Sequence, residues 1–211
     1  MVIRRGYDRL VNLSDAVIAI AVTLLILPLV DAAGNIGDAS PGQFLVDHEE
    51  QLFLFALSFV VIADFWLIHH KLYRAIEGYT ITLVWVNFVW LLTIVFLPFP
   101  TELLGQSSGS NTVTSALYIG TMVVTTYAGL VAQYIIVKTP EMQLENIRGT
   151  ILLSPAVFPA IAMTAALIVA VTVPGVGLWA LVILFVSGWV ERYWVRRSRA
   201  RLRDQAGRPV A

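Results

Sequence analysis

Arg9-Leu-Val-Asn-Leu-Ser-Asp-Ala-Val-Ile-Ala-Ile-Ala-Val-Thr-Leu-Leu-Ile-Leu-Pro28 decides the reading of this chain. It is an apolar run of membrane length with Arg9, Ser14 and Asp15 at its entrance. Ionisable groups in a membrane helix are costly, so they sit against protein or water and mark a pathway or a structural clasp. The run holds no group suited to covalent chemistry. It reads as a pore-lining helix and not a catalytic one.

Composition sets the class around that segment. Of 211 residues, 58% are hydrophobic and 13% charged. Soluble domains carry about 25% charged residues, so the chain is expected to be an integral membrane protein. The absence of cysteine excludes disulfides, thiol catalysis and Cys-ligated metal sites.

Six stretches can each cross a bilayer, which takes about 20 apolar residues: 13–30, 51–70, 80–104, 114–137, 150–173 and 177–194. The first follows Arg4, Arg5 and Arg9 in the manner of a signal peptide, but it lacks a small-residue cleavage site and is kept as a mature helix. Residues 1–211 read as one six-helix transmembrane channel domain, with 195–211 a basic cytoplasmic tail.

Charge fixes the expected orientation. Arg4, Arg5 and Arg9 precede the first span, Lys71 and Arg74 follow the second, Lys138 and Arg148 follow the fourth, and Arg192, Arg196, Arg197, Arg199, Arg201, Arg203 and Arg208 close the chain. The first, third and fifth connections have no Lys or Arg and instead carry Asp31, Asp38, Asp47, Glu49, Glu50 and Glu102. By the positive-inside rule, both termini are cytoplasmic. The basic tail is expected to set topology and touch anionic lipid, with no nucleic-acid partner. A helical turn is expected after Pro41, helix boundaries at Thr139-Pro140 and Val173-Pro174, and a helix stop at Phe96-Leu-Pro-Phe-Pro-Thr101.

On a helical wheel, Leu13, Ala16, Val17, Ile20, Thr23, Leu24 and Leu27 share one stripe, and Ser14 and Asp15 fall off it. An apolar stripe can be ordinary packing. It can also line a pore, because apolar rings gate by dewetting and a hydroxyl such as that of Thr23 can offer an oxygen to a cation. One such helix cannot enclose a pore, so several copies must meet around an axis.

The second span ends with Asp64-Phe-Trp-Leu-Ile-His-His-Lys-Leu-Tyr73, which places His69 and His70 near the cytoplasmic interface. Arg9 with Asp15, or Asp64 with a His or Arg, are the candidate pairs. Adjacent histidines on a helix point about 100° apart, so no tightly bound metal is expected. His69 is a candidate for pH-sensitive gating. Asn87 in the third span can hydrogen-bond across helices, while the tryptophans read as interfacial anchors and packing residues.

Arg9-x-x-x-Leu13-Ser14-Asp15-Ala16, followed by Ala19-Ile20 and Thr23, resembles the Arg-x-x-x-Phe-Ser-Asp signature of the transmembrane protein 175 potassium channels. Trp66-x-x-His69-His70 and Phe96-Leu-Pro-Phe-Pro-Thr101 resemble that family's prokaryotic members. Leu13 departs from the usual Phe. The resemblance implies a homotetramer in the bacterial plasma membrane, with the first helices lining a central cation pathway and no separate pore loop. It implies a main constriction at Ile20, further apolar rings at Leu24 and Leu27, and a hydroxyl ring at Thr23. Arg9, Ser14 and Asp15 would hold the first helix through His69 and Asn87. Potassium is then the permeant ion near Ile20 and Thr23, selectivity is modest, and no cofactor is needed. A secondary transporter coupled through Asp64 or Asp15 is the alternative, though no internal repeat supports it. An enzyme is not expected.

Overall fold

The computed structural model of the chain describes residues 2–37, 40–107 and 111–173. The helices in order are α1 (Tyr7–Leu24), α2 (Leu27–Gly34), α3 (Pro41–Asp47), α4 (Glu49–Tyr73), α5 (Ile81–Phe96), α6 (Pro98–Gln106), α7 (Thr112–Lys138) and α8 (Ser154–Thr172). Among the described residues, four helical runs are long and apolar enough to cross a membrane: Tyr7–Gly34, Glu49–Tyr73, Ile81–Gln106 and Thr112–Lys138. The apolar part of α8, Ala156–Thr172, is shorter than these four. The expected sixth span, 177–194, and the basic tail lie outside the described residues.

Local chemistry sets the helix ends. Thr80 caps α5 by accepting the Leu83 N–H, Asn111 caps α7 by accepting that of Val113, and Ser40 caps α3 by accepting that of Gln43. The short α3 supplies the turn expected after Pro41. Helix α7 stops at Lys138, and Pro140 begins a 3-10 turn, as a ring without an N–H dictates.

Two boundaries differ from the sequence reading. The first span breaks after Leu24, where Leu25 and Ile26 shift to the tighter bonds Leu25 N to Val22 O and Ile26 N to Thr23 O. Pro28 lies in the first turn of α2, where its missing N–H costs nothing. The Phe96–Thr101 segment does not stop the third span. Helix α5 itself ends at Phe96, but Leu97 keeps helical dihedrals and helix resumes with Pro98 and Pro100 in the first turn of α6. Thr101 N–H then donates to Leu97 O at 3.2 Å, restoring the ladder.

Helix α7 packs against α5, α6 and α8, while α1 lies against α4 and α5. One apolar cluster joins Ile18 and Ala21 of α1, and Leu25 just after it, to Ile62, Trp90, Ile94, Ile119 and Met122. A second, at the end bearing Lys71, Arg74 and Lys138, gathers Leu10, Tyr73, Leu83, Ile136 and Met142. Small residues (Ala128, Ala132, Ala160, Ala166 and Ala170) are buried on α7 and α8, where they let backbones approach closely.

Candidate functional site

Helix α1 has two faces of different character. Leu10, Ser14, Ile18 and Ala21 recur at spacings of four, four and three and point into the bundle. The opposite stripe is left exposed by the described residues. Ile20 is 59% exposed, Leu27 48%, Leu13 45% and Leu24 37%, against 5% for Ile18. Ala16 and Thr23 are exposed with them, and Val17 is half-buried. The Thr23 hydroxyl donates to Ile20 O at 2.8 Å, so its lone pairs remain available on the exposed side.

The buried face is held by polar groups. Ser14 Oγ donates to Leu10 O at 3.0 Å and accepts from Asn87 Nδ2 at 2.9 Å. Asn87 Oδ1 stands 2.8 Å from His69 Nε2. An amide oxygen can only accept, so the imidazole donates from Nε2. The His69 ring is stacked between Tyr73 and Trp90, with ring centroids at 4.1 and 4.3 Å. Ser14, His69 and Asn87 are all buried. The chain of bonds joins α1, α5 and α4 at one depth. Satisfying each member removes the large cost of an orphaned polar group in an apolar interior.

Asp15 sits one residue off that chain, half-buried, and accepts the Trp66 indole N–H at 2.8 Å. Its partner is therefore an indole where the sequence reading had Arg9 as a candidate. Arg9 is exposed on the first turn. Asp64 is also exposed, about 140° around α4 from His69 by helical geometry. His70 stacks on Trp66 at 5.1 Å, so the adjacent histidines serve different neighbours. The sequence reading placed Trp66 among interfacial anchors and packing residues and in the Trp66-x-x-His69-His70 segment, without a hydrogen-bond partner. Its spacing of four before His70 and its indole N–H were the available signals.

A second polar cluster escaped the sequence reading. Ser58 Oγ lies 2.9 Å from Thr101 Oγ1 and 3.1 Å from Tyr118 OH, all three residues buried. Thr101 spends its single hydroxyl hydrogen on Leu97 O at 2.8 Å. The protons are thereby ordered: Tyr118 donates to Ser58, Ser58 to Thr101, and Thr101 to the Leu97 carbonyl. This chain ties α7 and α4 to the junction between α5 and α6.

These features define a class: an integral membrane protein of several packed helices, in which an internal polar clasp fixes one helix while an apolar stripe of that helix stays exposed among the described residues. Residues 9–98 match the family described as endosomal/lysosomal potassium channel TMEM175. A potassium channel of Streptomyces collinus is 31% identical over 97 residues, covering 44% of this chain and 45% of that protein. A potassium channel of Chryseobacterium sp. is 23% identical over 130 residues, covering 62% and 65%. The endosomal/lysosomal proton channel TMEM175 of Gallus gallus is 28% identical over 106 residues, covering 48% and 20%. The matches thus span from a fifth to about two thirds of these relatives. The crystal structure of a lysosomal potassium-selective channel TMEM175 homolog from Chamaesiphon minutus shares the fold, with a TM-score of 0.68 at 20% identity, over 92% of this chain and 98% of that one. The chain is thus similar to the TMEM175 family over residues 9–98, and it shares its fold with a bacterial homolog of that family.

Proposed function

We propose that the chain is one subunit of a homotetrameric cation channel that conducts potassium, with the exposed stripe of α1 lining a central pore. The carrying observation is the two-faced α1: Ser14 is buried against Asn87 and Asp15 half-buried against Trp66, while Ile20 and Leu24, with Leu27 at the start of α2, stay exposed among the described residues. Ile20 forms the constriction, with Leu24 and Leu27 as further rings and Thr23 supplying hydroxyl oxygens beside it. Such a pathway selects by a dewetted narrowing and a few oxygens, not by a carbonyl cage, so discrimination between potassium and sodium is modest. Ser14, Asp15, His69 and Asn87, with Trp66, hold α1 in register. Six spans with both termini cytoplasmic, in a bacterial plasma membrane, complete the reading. The relatives described as potassium channels support potassium as the cargo, and the avian relative described as a proton channel makes protons the competing cargo to test.

The test is recording from purified protein in planar bilayers under opposed potassium, sodium and proton gradients. Ohmic current reversing toward the potassium potential is expected. A saturating flux with slow turnover, or current that follows the proton gradient alone, overturns the proposal.

A further inference from the structure

Three segments distant in sequence are knitted together beside the start of α1. Ile3 N–H donates to Tyr79 O at 2.8 Å, and Tyr79 N–H donates back to Ile3 O at 2.9 Å. Glu77 N–H donates to Met142 O at 2.8 Å, Leu144 N–H donates to Ala75 O at 3.1 Å, and Ile76 forms an antiparallel bridge with Gln143. The strap before α1, the α4–α5 turn and the turn after α7 therefore make one collar. The Arg4 guanidinium lies 3.1 Å from the Glu77 carboxylate, and the Tyr7 hydroxyl donates to Tyr73 O.

Gly78 is the tight point. A Cβ there would stand 2.9 Å from Val2 Cγ1 and 3.1 Å from Ile3 O. Gly6, at φ +83°, turns the strap into α1 and sits at its N-cap without a side-chain cap bond. The start of α1 is thus fixed by the collar and not by a cap. The turn that holds the strap also leads through Thr80 into α5, whose Asn87 holds Ser14. Helix α1 is registered against α5 twice, about two turns apart.

We propose that Gly78 and Tyr79 are positioning residues for the constriction: by clamping residues 2–5 they set the rotation of α1, and with it the side chains that face the pore. This rests on the pore reading above. A rotation of about 20° moves a side chain 5–6 Å from the helix axis by about 2 Å, and a dewetted constriction responds to changes of that size.

The full chain with Gly78→Ala is compared with the parent by native mass spectrometry and bilayer recording. The expected result is the same oligomer with at least a twofold change in unitary conductance or in the potassium-to-sodium permeability ratio. Adding Val2→Ala, which removes the tightest contact, moves both values back toward the parent. Tyr7→Phe loses one donor and produces a smaller change; it serves as the test variant where Gly78→Ala does not assemble. A variant that conducts and discriminates like the parent overturns the proposal. A parent chain that passes no current refutes the channel reading instead. Hydrogen exchange then decides the collar's hold on α1: Gly78→Ala should speed exchange over residues 2–12 relative to 81–96, and equal rates overturn it.

Discussion

Asn87 donates its side-chain amide to Ser14 across 2.9 Å, and this bond fixes which way α1 faces. Ser14 lies on the buried edge with Ile18 and Ala21. Holding it against α5 turns Ile20 and Leu24 outward. The polar pair and the apolar stripe are consequences of one helical phase.

Removing that bond should cost stability. Asn87→Leu keeps the approximate shape but leaves His69 Nε2 without an acceptor. Burying an unsatisfied donor costs about 1–3 kcal/mol. Thermal melting in detergent should fall accordingly, and by less for Ser14→Ala, which breaks one of these interhelical bonds where Asn87→Leu breaks both. Melting equal to the parent for Asn87→Leu would remove the clasp from the account.

At Asp15 the partner is neutral, so geometry matters more than charge. Asp15→Asn retains a carbonyl oxygen for the Trp66 N–H and should shift melting little. Asp15→Leu and Trp66→Phe both lose the bond. The two losses should be non-additive, with a coupling energy of about 0.5–3 kcal/mol in a double-mutant cycle. Strict additivity would show that the 2.8 Å contact carries no energy.

The constriction is tested on the same helix. Ile20→Asn places amides on the exposed stripe, where polar groups hold water and lower the barrier to a hydrated cation. Current should rise and potassium-over-sodium discrimination should fall. Ile18→Asn instead buries an amide in the core and should reduce folded yield. Unchanged conductance and selectivity in Ile20→Asn would move the constriction to Leu24 or Leu27.

Assembly follows from geometry. On the proposed pore reading a single exposed stripe encloses nothing, so copies are expected to close a ring. Native mass spectrometry should return about four times 23.3 kDa. A monomer that conducts would be incompatible with a shared pore.

What the sequence determined by itself was the class and the phase of its helices. Low charge, long apolar runs and a one-sided distribution of Lys and Arg specify membrane helices because burying charge in lipid is costly. The stripe from Leu13 to Leu27 was legible because helical periodicity is local. Tertiary structure decided the partners. Trp66 reaches Asp15 across 51 positions and Tyr118 reaches Ser58 across 60. Nothing in either local pattern specifies the other, because such bonds depend on how helices dock. The resumption of helix after Leu97 was also a tertiary matter: prolines forbid certain bonds, but whether helix resumes depends on the neighbours that hold the next turn. Here Ser58 and Tyr118 secure Thr101, and Thr101 secures the Leu97 carbonyl.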